Sequence, residues 1–174
     1  MRPARARRLS TLEVPVDVGQ AIAAWLHSLA TVFVLGYYAL LAFVVVPVLR
    51  HTLDAPTLGR VIPEIERRAL PVIIAAVVVF VVTGAYMLST DAQFQGLGHA
   101  FVNTWSKLIV IKHAVVILLV GIGVYIDLLV VPDIARPVDE AFQAAAVRRL
   151  ARSATAIAAL GTVVLLLTAA AQAS

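Results

Sequence analysis

The stretch IAAWLHSLATVFVLGYYALLAFVVVPVL, Ile22 to Leu49, decides the fold. It carries no acidic or basic side chain except one imidazole, His27, and it exceeds the ~20 residues needed to cross a bilayer. Three further apolar blocks follow: Leu70 to Leu88, Ser106 to Val131 with Pro132 behind it, and Ala154 to Ala171. None shows the alternating polar pattern of a membrane barrel strand. The expected fold class is therefore an all-α integral membrane protein, a four-transmembrane-helix bundle.

Composition agrees. Hydrophobic residues make up 61% of the 174 residues and charged residues 14%, against about 25% charged in a soluble domain. There is no cysteine, which excludes disulfides, iron–sulfur clusters, thiolate zinc sites and covalent haem attachment. The net charge of +4 comes from basic residues gathered at the ends of the apolar blocks. Anionic lipid headgroups lie there, so the expected partner is the lipid bilayer and not nucleic acid.

The sequence reads as one domain over residues 21–174, with no internal repeat, behind an exposed basic lead over residues 1–20. The lead MRPARARRLS has the charge of a signal peptide's start. The apolar block behind it runs well past the ~7–15 residues of a signal core, so the lead is expected to stay attached. Loop one, residues 50–69, and loop three, residues 132–153, hold eight arginines; the N-terminal lead and Lys107 supply five basic residues on the other side. The excess predicts loops one and three in the cytoplasm of a bacterium, with the chain in its inner membrane.

His27 and His113 are the candidate ligands. Spans one and three run in the same direction, and the two imidazoles sit five and seven residues past the starts of their spans. At ~1.5 Å per residue their depths differ by about 3 Å. Two imidazoles at matched depth on parallel helices are the donor set for one b-type haem, held by His27 and His113 as axial ligands. His99 lies in loop two near the same level, and His51 at the opposite face. Lys112, next to His113, is placed to meet a haem propionate, while Trp25 and Trp105 read as interface anchors. At the far end of span three, Asp127 calls for a cation. An ion-pair cluster of Asp127, Glu66 and one of Arg50, Arg67 or Arg68 is the expectation.

Four motifs resemble the CopD-like and HemJ-like family of bacterial four-helix membrane proteins. They are WLHSLA at Trp25–Ala30, ERRALP at Glu66–Pro71, TGAYML at Thr83–Leu88 and WSKLIVIKH at Trp105–His113. The resemblance implies a haem b bundle with His27 as the span-one ligand. HemJ-type members oxidise protoporphyrinogen, and their functional arginine and lysine would map to Arg67 or Arg68 and to Lys107. CopD-type members are linked to copper uptake or resistance. His113 directly after a lysine departs from the HemJ pattern and supplies a second ligand.

These readings order the functions. The first is a haem b protein passing electrons, alone as a homo-oligomer or with other membrane redox subunits, because two axial histidines leave no open position for substrate. The alternative is a protoporphyrinogen oxidase-type enzyme. Copper transport ranks lower, since Cu(I) prefers Met and Cys and the chain has only Met1 and Met87. A structural subunit without cofactor is the last reading. A nucleotide loop, a catalytic triad signature and an HExxH motif are absent.

Overall fold

The structure, a computed structural model, describes residues 17–91, 96, 101–136 and 139–173. It is all-helical among the described residues. Four continuous helical rods, Val18–Thr52, Ala55–Thr90, Thr104–Ala135 and Glu140–Gln172, are long and apolar enough to cross a membrane. This is the four-helix membrane bundle that the apolar blocks dictate.

Two of the rods change pitch. The first comprises α1 (Val18–Leu40), a π-helical turn over Leu41–Val45 and α2 (Val46–Thr52). The second rod is α3 (Ala55–Thr90). The third comprises α4 (Thr104–Tyr125), a π-helical turn over Ile126–Val130 and α5 (Val131–Ala135), and the fourth is α6 (Glu140–Gln172). Each π turn is followed at the second position of the next helix by a proline, Pro47 or Pro132. A proline lacks the N–H that an α-helix needs there. The wider turn is one way to absorb the broken ladder, and such turns recur at functional sites.

Loop one is mostly not a loop. Residues 55–69, whose charges read as a connection, form the first four turns of α3. The Asp54 side chain caps this helix by accepting from the Thr57 amide at 3.2 Å. That bond and one from the Thr57 side chain hold the exposed Asp54 carboxyl below its ordinary pKa. The segment is amphipathic: Leu58, Ile62 and Glu66 are buried, one helical turn apart, while Arg67 and Arg68 face out. Pro71 consequently lies well inside α3 and not in its first turn. Helix α6 begins at Glu140, capped by Asp139, so the second half of loop three continues the fourth span, as its sequence predicts.

The structure also reveals a repeat that the sequence alone does not. The π turns start at residues 41 and 126, the prolines stand at 47 and 132, the capping aspartates at 54 and 139, and the next helices start at 55 and 140. Every feature recurs 85 residues on. The chain is two like-directed helical pairs that share helix punctuation but not side-chain identity.

Packing is uneven. α1 lies against α3 and α6, and α4 lies against α6, but α1 and α4 scarcely meet. The core gathers at the end carrying loops one and three, where Leu41, Ile62, Ile126, Ile134, Leu150 and Ile157 are fully buried. Toward loop two the helices part. Leu150→Ala is expected to cost about 2–5 kcal/mol through cavity formation. Leu166→Ala, on the exposed outer face, should cost less than about 0.5 kcal/mol. Unfolding midpoints of the solubilised protein check the contrast.

Candidate functional site

Where α1 and α4 part, a cavity of about 870 Å³ opens between the two halves. Its walls include His27 and Thr31 of α1, Phe80, Gly84 and Met87 of α3, Trp105, Ile109, Lys112 and His113 of α4, and Thr155, Ala159 and Thr162 of α6. The space falls within the ~300–1,000 Å³ of ligand sites, and its apolar lining with a few polar groups matches their usual character.

His27 is held by its neighbour α3. Its Nδ1 lies 3.0 Å from the Phe80 carbonyl oxygen and 3.0 Å from Thr83 Oγ1. A carbonyl only accepts, so Nδ1 carries the proton and donates it. The Thr83 hydroxyl donates to the Val79 carbonyl at 2.6 Å. Nε2 of His27 then keeps its lone pair. The ring also stacks on Phe80 with centroids 4.2 Å apart and planes inclined by 26°. Gly84 makes room for it: a Cβ there would stand 3.0 Å from His27 Cε1. This explains the Thr-Gly of TGAYML. Phe80, Thr83 and Gly84 are the residues that reading spans singly misses, because their role is to hold a ring on another helix.

His113 repeats the arrangement within its own helix. Its Nδ1 donates to the Ile109 carbonyl at 2.7 Å, again freeing Nε2. Ligating histidines characteristically anchor the other ring nitrogen in this way. Lys112 and His113 line the same cavity as His27. Met87, the one internal methionine, lines the same space.

The remaining candidates separate from this site. Lys107 is exposed and is not on the cavity wall. Arg67 and Arg68 both bind Glu64 on the outer face of α3, with Arg68 Nε 2.7 Å from its carboxylate. They stand about 20 Å along the axis from Phe80, so they do not join the histidines. His51 ends α2 at the far end of the bundle. His99 lies outside the described residues. The expected ion-pair cluster also fails: among the described residues no cation lies within ion-pair distance of Asp127 or Glu66.

Residues 63–171, more than half of the chain, match the family described as copper resistance protein D, CopD. The chain belongs to the CopD family. No curated protein and no solved structure matches it. The CopD match takes in α3 from Pro63, α4 and nearly all of α6, and hence Thr83, Gly84, Met87 and His113. His27 lies before it, yet its anchoring partners lie within.

Nitrogen NMR of the histidine rings is expected to show His27 as the Nδ1-protonated tautomer. Gly84→Ala should shift the His27 resonances while helix content, read by circular dichroism, stays unchanged. Unaltered His27 signals would contradict the close approach of the ring to α3.

Proposed function

We propose that this CopD-family chain is a multi-pass membrane protein that handles copper, taking the ion into the cavity between its two halves on His27, His113 and Met87. The observation that carries this reading is the convergence of three donors on one cavity. Imidazole suits copper in both oxidation states, and thioether sulfur favours Cu(I). Both Nε2 atoms are free because both Nδ1 atoms are committed to backbone carbonyls. A lone methionine weighs against copper in the sequence; its place on the wall of the cavity that both histidines line weighs for it. Ligand sites at the interface of repeated helical units are a recurrent feature of membrane transporters. The arginine excess of loops one and three supports a cytoplasmic position for them in a bacterial inner membrane.

The cavity's size favours a second reading. About 870 Å³ is far more than a single ion fills, and two freed imidazoles with Lys112 beside them would equally hold haem b and a propionate. Under that reading the chain passes electrons, with His27 and His113 as axial ligands and a redox subunit or second copy as partner.

One purification separates them. The copper reading expects tight Cu(I) binding in competition with a chromophoric chelator. His27→Ala and Met87→Ala each weaken it at least tenfold, and His51→Ala leaves it unchanged. A protein that purifies with a low-spin b-type spectrum, lost in His27→Ala, supports haem instead. A colourless protein without Cu(I) affinity contradicts both.

A further inference from the structure

A second polar group lies toward the opposite end of the bundle, off the cavity wall. Glu66 is 5% exposed, and its Oε1 is buried without a hydrogen-bond partner. Tyr37 of α1 presents a hydroxyl that is also buried and unpartnered. The two groups approach one another across the α1–α3 contact without meeting hydrogen-bond geometry, and Asp127 of the second π turn stands within electrostatic range of both. Both π turns border the cluster: one begins four residues after Tyr37, and the other contains Asp127.

Packing does not demand these side chains. At the 85-residue offset, Glu66 corresponds to Ala151, Asp127 to Ala42 and Tyr37 to Ile122. The same scaffold is thus built in the other half with apolar residues at all three positions. Acids and a phenol buried between apolar helices, where a bland alternative exists in the same chain, mark a site that uses them.

The ligand follows from the charges. On α1 the facing titratable groups are Tyr37 and Tyr38, and on the second π turn Asp127. On α3 itself, Glu64, Arg67 and Arg68 are bonded to one another outside. On α5 and α6, Asp133 is taken by Arg136 and Arg149. Among the described residues no cation therefore balances Glu66, and an unpaired carboxylate buried in apolar surroundings is far too costly to persist. Oxygen donors alone do not select Cu(I). We propose that Glu66, Tyr37 and Asp127 form a proton-binding site buried in the bundle near its loop-one end, with the proton resident on Glu66. Leu58, Ile62 and Glu66 stack on one face of α3, and a cleft of about 170 Å³ reaches Leu58 from that end. Fully buried Ile62 separates that cleft from Glu66.

Infrared spectroscopy of the full chain in lipid tests this. The wild type is expected to show the carbonyl stretch of a buried protonated carboxylic acid at neutral pH, shifting on deuteration. Glu66→Gln abolishes the band, and Tyr37→Phe and Asp127→Asn move it. Circular dichroism checks that each variant is folded, and the deuterium shift needs no variant. Absence of the band at neutral pH, its survival in Glu66→Gln, or its removal by sodium ions at constant pH overturns the proposal. Copper or haem content does not enter the readout, so its failure and that of the cavity reading are distinct.

Discussion

The bond from His27 to the Phe80 carbonyl organises the cavity end of this bundle. In hydrocarbon an imidazole must find partners within the protein. By donating Nδ1–H to a carbonyl of the adjacent helix, His27 ties α1 to α3, fixes its tautomer and leaves Nε2 with its lone pair. Gly84 grants the close approach, and stacking on Phe80 sets the ring plane. His113 reaches the same electronic state through its own helix. The protein thus presents two lone pairs to one cavity without a charged ligand.

That cavity exists because the two helical pairs are packed tightly at one end only. Fully buried aliphatic residues lock the halves together around the π turns, and the like-directed first and third spans diverge toward loop two. Repetition supplies the scaffold, and departure from repetition supplies chemistry. At the 85-residue offset His27 faces Lys112, not a second histidine, and the Glu66 cluster faces alanine and isoleucine. Each polar site belongs to one half or to the seam.

Much of this was legible in the sequence. Apolar length alone gave four spans, and equal depth on like-directed helices singled out His27 and His113. The charged stretch at 55–69 misled because mean polarity hid an amphipathic face, although the Asp54 cap and the spacing of Leu58, Ile62 and Glu66 announce a helix. Glu66 was assigned an arginine, but Arg67 and Arg68 follow it directly and point to the opposite side of α3, where Glu64 binds them. Thr83 and Gly84 matter only through a ring 56 residues away, a relation that no local pattern carries. The repeat stayed hidden because it is written in punctuation, two prolines and two capping aspartates, not in the apolar residues between.

The central claim is that His27 and His113 face one another across a shared cavity. Because the chain has no cysteine, the pair His27→Cys with His113→Cys offers a clean measurement with a short bifunctional thiol reagent. The structure requires an intramolecular cross-link within the monomer, absent when His27→Cys is combined with Ile111→Cys, which is exposed on the other face of α4 and does not line the cavity. Cross-linking only between separate chains, or equally with both partners, would contradict it.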